Sequence, residues 1–251
     1  MSAVLAAAPT PSLENRIADA PWRAIGEALD ADGVATLPRL LTPSEADDLA
    51  ALYEECDRFR SRVVMERHRF GAGEYQYFAY PLPPIVKTLR ENLYAALAPH
   101  ANRWVERLGD RAAFPATHAE FLERCHAAGQ RRATPLLLRY DEGGYNCLHQ
   151  DLYGAEVFPL QVVILLSEPG RDFDGGELVL VEQRPRAQSA ARVVALRQGD
   201  AAIIATHHRP ERGARGWHRV NLKHGVSRVT HGCRCTAGII FHDAAGPADG
   251  D

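Results

Sequence analysis

The most informative stretch of the chain is HGVSRVTHGCR, which runs from His224 to Arg234 and continues into a β-like run. Side chains alternate between the two faces of a strand, so Arg234 and Thr236 are predicted to point one way while Cys233 and Cys235 point the other. An arginine beside a hydroxyl suits a carboxylate, because its planar guanidinium donates two parallel hydrogen bonds and keeps its charge. The stretch therefore predicts a strand that carries a carboxylate receptor.

A second motif, His149-Gln150-Asp151, lies upstream. On an extended backbone its imidazole and carboxylate project to the same face and can hold one metal ion together. With His224 as third ligand they form a two-histidine, one-carboxylate triad that leaves positions open on iron(II). A single His-x-Asp in a chain with 11 histidines is equally consistent with a surface accident. The metal-site prediction therefore depends on the two motifs together.

The chain changes character near Pro135. After it, turn signals separate six short β-like runs: Leu136–Tyr140, Leu160–Leu166, Glu177–Val181, Val193–Leu196, Ala201–Ala205 and Ala237–Phe241. Helices followed by short strands predict a mainly β, α+β fold, with a jelly-roll or cupin-like antiparallel barrel carrying an N-terminal helical layer. A doubly wound parallel sheet is disfavoured because helical crossovers are missing between the later strands.

Helical patterns dominate the first half. Predicted helices begin at Pro21 and at Thr42, and others cover about 85–108 and 119–128. Thr42, Pro43 and Glu45 form a capping box with proline at the first helical position. The third helix is expected to be interrupted near Pro99. A short strand is predicted at Val34–Leu37, and 63–80 is predicted to form strands or an ordered loop.

Length and composition indicate one structural domain. The 251 residues suit a single domain, and 46% hydrophobic with 24% charged residues is ordinary for a globular core. Against 32 acidic residues stand 29 basic ones, so no global basic field holds the chain on nucleic acid or lipid. We expect flexible tails at 1–12 and 244–251, a helical support region at 13–130, and a catalytic core at 131–243.

Cysteine number and hydropathy bear on location. Five cysteines are an odd number and do not resemble a disulfide framework, which favours a reducing compartment. The N-terminal stretch lacks the basic region of a signal peptide, and no segment approaches the roughly 20 apolar residues of a membrane span. We therefore expect a soluble, cytoplasmic protein with no membrane partner. The sequence does not specify an oligomeric state.

The ordered motifs resemble the iron(II)- and 2-oxoglutarate-dependent dioxygenases, especially their prolyl-4-hydroxylase-like branch. The resemblance covers about residues 135–243 and includes, between the two motifs above, Asp174-Gly175-Gly176-Glu177-Leu178 and Gly199-Asp200-Ala201. It implies a double-stranded β-helix with His149, Asp151 and His224 as iron ligands. It also implies that Arg234 binds the distal carboxylate of 2-oxoglutarate, with Thr236 assisting and Tyr140 on the strand that leads to the site.

One position departs from the family pattern. Prolyl hydroxylases often place a cosubstrate-binding tyrosine three residues before the first ligand, where this chain has Asn146, with Tyr145 one position off register. A local bulge turns Tyr145 inward, or Asn146 takes the polar role, or Tyr145 is simply an exposed loop residue. The sequence leaves all three alternatives open.

The resemblance also implies chemistry. Iron(II), 2-oxoglutarate and dioxygen, with stimulation by ascorbate, hydroxylate or oxidatively demethylate a substrate and release succinate and carbon dioxide. The chain is also similar to bacterial oxygenases described as acting on damaged DNA, although no residue specifies a nucleobase. A protein side chain, an alkylated nucleobase and a small metabolite all remain open as substrates. Two alternatives are a non-catalytic 2-oxoglutarate or metal sensor and a cupin-like metal enzyme that does not use 2-oxoglutarate.

A basic segment precedes the distal histidine. Residues 207–223 carry five lysines and arginines against Glu211 alone, with Trp217 among them. One interpretation is an electropositive flap that binds an anionic substrate, including nucleic acid, with Trp217 as a stacking surface. The other is a solvated hairpin.

Overall fold

The computed structural model describes residues 10–110, 113–184 and 186–246. Most of the tail predicted at 1–12 and the end of that predicted at 244–251 lie outside these residues. The described helices are α1 (Leu13–Ala18), α2 (Trp22–Asp32), α3 (Pro43–Ala51), α4 (Pro84–Leu108) and α5 (His118–Ala127). Short 3₁₀ turns occupy Leu52–Glu54, Cys56–Arg58 and Met65–His68.

Two helices begin at capping boxes. At α3 the Thr42 hydroxyl accepts a hydrogen bond from the Glu45 amide at 3.2 Å, and the Glu45 carboxylate accepts one from the Thr42 amide at 2.8 Å. Thr117 and Glu120 make the same exchange at the start of α5. These bonds satisfy amides that a helix N-terminus otherwise leaves without partners. The predicted capping box at Thr42 is confirmed.

Helix α4 runs without a break through Pro99, so the predicted interruption there is wrong. A proline inside a helix removes one backbone donor and crowds the carbonyl four residues earlier, at a cost of about 3 kcal/mol. Buried side chains flank it, with Leu93 and Leu97 before it and Trp104 after it. Each large apolar side chain contributes about 1.5–3 kcal/mol on burial, which outweighs the local cost.

The described strands lie between residues 34 and 245 and alternate with the helices in the first half of the chain. They are β1 (Val34–Leu37), β2 (Phe59–Val64), β3 (Gly71–Ala72), β4 (Glu74–Phe78), β5 (Gln130–Arg132), β6 (Leu136–Tyr140), β7 (Tyr145–His149), β8 (Leu160–Leu165), β9 (Phe173–Gly175), β10 (Leu178–Gln183), β11 (Ala190–Val194), β12 (Ala201–Ala205), β13 (His208–Gly213), β14 (Gly216–Val226), β15 (Val229–Gly232), β16 (Arg234–Ile239) and β17 (Ala244–Ala245).

Two large antiparallel sheets hold most of these strands. The first has the order β1-β12-β8-β16-β6-β4-β2. The second has the order β11-β10-β14-β7-β3, with β13 paired to β14. Two small sheets pair β15 with β9 and β17 with β5. The mainly β, α+β prediction is confirmed, as is the expectation that a doubly wound parallel sheet is absent from the described strands.

Predicted and observed strands agree best where the apolar run is short and buried. The bounds of β1, β6 and β12 are those predicted. The predictions did not include β7, β13 or β14, whose sequences are rich in polar residues. The N-terminal region also supplies β1, β2 and β4 to the first sheet and β3 to the second. At the other end, β17 pairs with β5, so paired structure continues past the core boundary expected at residue 243.

The Gly199-Asp200 motif is a turn that ties the first sheet to the segment before α3. Gly199 has φ of 82°, and a Cβ there would lie 2.2 Å from the Leu41 carbonyl oxygen. The Asp200 carboxylate accepts hydrogen bonds from the amides of Arg39 and Arg197, at 2.8 and 2.9 Å. The motif therefore has a structural explanation.

None of the described helices combines the length and apolarity needed to cross a bilayer.

Candidate metal centre and cosubstrate pocket

The three predicted metal ligands meet at the junction of two neighbouring strands. His149 ends β7, and its register partner on β14 is His224. Asp151 follows β7 by two residues and is buried. The candidate ligand atoms of these three residues all lie within 4.8 Å of one another. Strand pairing thus brings together side chains that are 75 residues apart in sequence.

The donor set suits iron(II). Asp151 Oδ2 lies 3.2 Å from Nε2 of His224, and Asp151 Oδ1 lies 3.6 Å from Nε2 of His149. The two imidazole rings have their centroids 4.2 Å apart. Two imidazole nitrogens and one carboxylate oxygen on one face are the arrangement of non-haem iron(II) sites with open coordination positions.

Asp151 and His149 are held in the protonation states that bind a metal. Burial alone would raise the pKa of Asp151, but the hydrogen bond and charge of His224, with His149 and a tyrosine hydroxyl, hold it below its ordinary value. Burial lowers the pKa of His149, and His224 lowers it further. His149 Nδ1 lies 2.8 Å from the Cys147 carbonyl, which can only accept, so Nδ1 carries the proton. Nε2 then keeps its lone pair for a metal.

A bulge in β7 determines which residue before His149 faces the cluster. His224 pairs with His149 and Val226 with Asn146, so β7 has one more residue than β14 across this interval. The extra residue shifts the alternation and puts Asn146 on the face of His149. Asn146 Nδ2 donates to the Tyr140 hydroxyl at 3.2 Å and lines the cavity at the cluster. The Tyr145 ring instead lies under the Arg228 guanidinium, whose central carbon is 4.8 Å from the ring centroid.

Tyr153, which the predictions did not include, orients the candidate carboxylate ligand. Its hydroxyl donates to Asp151 Oδ1 at 2.7 Å, and the Tyr77 hydroxyl donates to Tyr153 at 3.1 Å. Oδ1 therefore faces Tyr153, while Oδ2 lies beside His224. In the sequence, Tyr153 stands two residues after Asp151, and on an extended chain this spacing puts two side chains on the same face. That spacing could have predicted the contact.

We expect Tyr153→Phe to weaken metal binding about 10-fold, because the loss of an outer hydrogen bond to a ligand typically costs 10–100-fold in affinity. The measurement is anaerobic calorimetry with Mn(II). Tyr53→Phe is the matched control, because its hydroxyl contacts Glu74 at 3.4 Å and none of the three ligands. Equal Mn(II) affinity of the Tyr153 variant and the wild type would contradict this role.

Arg234 is a buried cation without a counter-ion. Its side chain is 2% exposed, and it forms no ion pair within the part of the chain that the structure describes. Nη1 reaches the Thr236 hydroxyl only at 3.5 Å, and Nε has no partner. The guanidinium lies 5.7 Å from the ring centroid of Tyr140 and 6.0 Å from that of Phe173. An unpaired buried charge is costly, so this arrangement fits an anionic ligand that supplies the missing partner.

Gly176, in the Asp174–Leu178 motif, makes room for this arginine. It has φ of 62°, and a Cβ there would lie 2.8 Å from Arg234 Cδ and 2.9 Å from Val229 Cγ2. The glycine is therefore required both by its left-handed backbone and by the close approach of the Arg234 stem.

We expect Gly176→Ala to displace Arg234 and weaken binding of 2-oxoglutarate, the predicted cosubstrate, about 10-fold, since a misplaced guanidinium loses bidentate geometry. Calorimetry with the Mn(II)-loaded protein measures this. Gly109→Ala is the matched control, because Gly109 has φ of 70° with no neighbouring atom within 4 Å. Both variants place an alanine at a left-handed backbone position, but only the Gly176→Ala side chain would contact Arg234. Equal losses of affinity would mean that strain alone is responsible.

A cavity of about 350 Å³ opens beside the cluster. Besides His149 and Asp151, its lining includes three tyrosines, three leucines and two residues of an exposed loop: Tyr75, Tyr77, Tyr153, Leu136, Leu138, Leu148, Arg69 and Phe70. The cavity is large enough for a small planar group and is mainly aromatic where it approaches Asp151. The tyrosines of β4 were not among the predicted site residues.

The basic segment 207–223 forms the β13–β14 hairpin. Arg209 is buried and paired with Glu182 at 2.8 Å, and Arg219 is paired with Asp110. Trp217 lies against two guanidinium groups, those of Arg107 at 4.6 Å and Arg212 at 5.7 Å. Part of the positive charge of the hairpin is thus compensated inside the protein. Binding of an anionic substrate by this hairpin stays a prediction.

Sequence comparisons identify relatives. A family model described as an oxygenase catalysing oxidative methylation of damaged DNA matches residues 73–244. Rv2227 of Mycobacterium tuberculosis (strain ATCC 25618 / H37Rv), described as uncharacterized, is 48% identical over 168 residues, which are 67% of this chain and 72% of that protein.

Structural comparisons identify prolyl hydroxylases. A Pseudomonas putida prolyl-4-hydroxylase matches with a TM-score of 0.53 and 14% identity, over 90% of this chain and 100% of that chain. A Trichoplax adhaerens prolyl hydroxylase, solved with a hypoxia inducible factor peptide fragment, matches with a TM-score of 0.56 and 14% identity, over 94% of both chains. At such low identity the likeness is one of fold alone.

Proposed function

The chain belongs to the oxygenase family whose model matches residues 73–244, and from this premise we propose that it oxidatively demethylates an alkylated nucleobase in DNA. It is a 2-oxoglutarate-dependent oxygenase that uses iron(II), 2-oxoglutarate and dioxygen. A non-catalytic sensor and a metal enzyme that does not use 2-oxoglutarate are thereby set aside. The proposal concerns the substrate, an alkylated nucleobase, and the demethylation reaction.

His149, Asp151 and His224 hold the iron. Their donor set, two imidazole nitrogens and one carboxylate oxygen within 4.8 Å, is the observation that supports this assignment. The Cys147 carbonyl accepts from Nδ1 of His149, which leaves the lone pair on Nε2, and Tyr153 binds Oδ1 of Asp151 while Oδ2 faces His224. The three ligands are therefore oriented before the metal binds.

Arg234 binds the distal carboxylate of 2-oxoglutarate, and its lack of a counter-ion is the observation that carries the proposed cosubstrate site. Thr236 and Tyr140 flank the guanidinium. Asn146, held to the Tyr140 hydroxyl, contributes an amide on the same face as the metal ligands. Tyr145 lies outside this pocket, beside Arg228.

The two large sheets are the two layers of a double-stranded β-helix, or jelly roll. The two histidine ligands lie on β7 and β14 of one sheet, Asp151 follows β7, and Arg234 lies on β16 of the other sheet. Arg234 is buried, and burial strengthens the ion pair between a guanidinium and a carboxylate. Residues 131–243 form this catalytic core, and 13–130 support it as part of one domain.

Bound iron(II), with 2-oxoglutarate and dioxygen, supplies oxidation of a C–H bond with release of succinate and carbon dioxide. At an N-methyl group the methyl carbon becomes a hydroxymethyl, whose C–N bond then breaks to give formaldehyde and the free N–H of the base. The chain's own contribution is to exclude water and to position that methyl group. The tyrosine-rich cavity beside Asp151 suits a planar base removed from its stack.

The test is turnover with single-stranded oligonucleotides that carry one N-methylated base. Succinate and formaldehyde should appear in equal amounts with iron(II) and 2-oxoglutarate, and neither should exceed background with the unmethylated oligonucleotide. A proline-containing peptide is run in parallel. Succinate release that follows the peptide and not the methylated oligonucleotide would reject the nucleobase proposal while keeping the oxygenase assignment.

A further inference from the structure

Residues Arg67, His68, Arg69 and Phe70, which we call the mouth loop, form an exposed aromatic and basic loop whose second half lines the metal-site cavity. All four are exposed, and Phe70 is 48% exposed although it is a large apolar residue. Arg69 and Phe70 line the same cavity as His149 and Asp151. Neither the iron site nor the proposed cosubstrate site uses any of the four.

The backbone holds the mouth loop in place. The Phe70 amide donates to the Met65 carbonyl at 3.1 Å, and the Phe70 carbonyl accepts from the Cys147 amide at 2.8 Å. The first bond closes the loop on itself, and the second fastens it to β7, the strand that ends in His149. Arg69 adopts the left-handed conformation with φ of 60°, which is unfavourable for a residue other than glycine and is often found at binding sites. The loop is thus a fixed edge of the site.

The aromatic rings of the loop are arranged as a stacking surface. The His68 and Phe70 rings are stacked, with centroids 5.3 Å apart and an interplanar angle of 23°. Leu148, 45% exposed, lines the cavity with Phe70. Exposed apolar side chains of this size at a cavity entrance indicate a binding surface.

The charges of the loop favour an anionic partner. Neither Arg67 nor Arg69 forms an ion pair or side-chain hydrogen bond with any described residue, whereas Arg209 and Arg219 of the β13–β14 hairpin are paired. Glu66, the acidic neighbour, accepts a hydrogen bond from the Gly73 amide. Two guanidinium groups without a described partner, on the same short loop as an exposed ring, are a combination that binds single-stranded nucleic acid, with phosphates on the cations and a base on the ring.

We propose that the mouth loop is the nucleic-acid-binding edge of the active site, where Phe70 stacks on a base next to the methylated one while Arg67 and Arg69 bind the flanking phosphates. This inference rests on the proposed function and identifies the surface that would hold its substrate. A peptide carries no regular phosphate charge, so it would gain little from the two arginines.

The test is fluorescence anisotropy of a labelled single-stranded oligonucleotide with one N-methylated base, in the presence of Mn(II) and 2-oxoglutarate without oxygen. Phe70→Ala should weaken binding about 10-fold, which is typical of one lost base stack. Arg67→Ala and Arg69→Ala should each lower the slope of log affinity against log salt by about 0.7, the value for one phosphate on a single strand. Trp217→Ala is the matched control and should leave affinity unchanged, because guanidinium groups already lie on its ring.

Calorimetry of Mn(II) and 2-oxoglutarate binding confirms that each variant is folded and keeps its iron and cosubstrate sites. If the wild type binds the oligonucleotide and the three mouth-loop variants bind it equally well, the mouth-loop inference is wrong and the proposed function stands. If Trp217→Ala alone weakens binding, the hairpin is the binding surface and the inference is again wrong. If the wild type binds no oligonucleotide, both the substrate class and the mouth loop's role are rejected.

Discussion

Asp151→Ala is expected to lower the affinity for Mn(II) by more than about 100-fold and to abolish turnover. The carboxylate is the only anionic donor of the described three-residue cluster, and its oxygen lies 3.2 Å from Nε2 of His224. Loss of an outer hydrogen-bond partner of a ligand already costs about 10–100-fold, so loss of the ligand itself costs more. Anaerobic calorimetry with Mn(II) measures the affinity, and succinate release measures turnover.

Asp141→Ala is the matched control for this variant. Asp141 follows β6, is largely exposed and interacts with Arg139 at the surface. Its removal should leave metal affinity unchanged. Circular dichroism of the metal-free proteins separates loss of the ligand from loss of the fold. A folded Asp151→Ala protein with wild-type Mn(II) affinity would refute the metal-centre assignment.

Arg234→Met is expected to weaken 2-oxoglutarate binding by about 100-fold or more, and to raise the thermal midpoint of the protein without 2-oxoglutarate. Removing one partner of a buried charge pair costs about 2–5 kcal/mol of binding. In the free protein, however, the guanidinium is buried and forms no ion pair with a described residue, and burial lowers its pKa although the charge of Glu177 opposes this. Methionine keeps an apolar stem in the same space and removes the unpaired charge, so the free protein gains stability.

Calorimetry of the Mn(II)-loaded protein and a melting curve without 2-oxoglutarate test the two halves of this prediction. Arg139→Met is the matched control. Arg139 lies on β6, in the same sheet as Arg234. It pairs in register with Cys235 and lies at the surface beside Glu54. It should change neither cosubstrate affinity nor stability by much. If Arg234→Met lowers the thermal midpoint and leaves 2-oxoglutarate affinity intact, the arginine is a structural residue and the cosubstrate assignment is wrong.

Sequence reasoning was most successful where a physical rule acts over a few residues. The capping box at Thr42 requires two side chains three positions apart, and both are present in the printed sequence. The strands β1, β6 and β12 are short apolar runs between turn signals, and the structure has them with the predicted bounds. The His149-x-Asp151 and His224-to-Arg234 spacings each depend on local alternation along an extended chain.

Sequence reasoning failed where distant groups decide the outcome. The helix through Pro99 persists because Leu93, Leu97 and Trp104 are buried on both sides of it, and the pattern around a proline does not reveal that packing. The polar hairpin strand β14 is held by its neighbours β10, β13 and β7. Neither result follows from local propensity, since tertiary packing overrides it.

The chain's own sequence determined the site's chemistry: which side chains can bind a metal or a carboxylate, and their spacing within each motif. Only the tertiary structure decided their arrangement in space. Register between β7 and β14 places His224 opposite His149, and one extra residue in β7 turns Asn146 inward and Tyr145 outward. The tertiary structure also buries Arg234 without an ion pair among the described residues. The physical reason is that alternation and capping act within a few residues, whereas register, bulges and unpaired buried charges depend on strands that meet from distant parts of the chain.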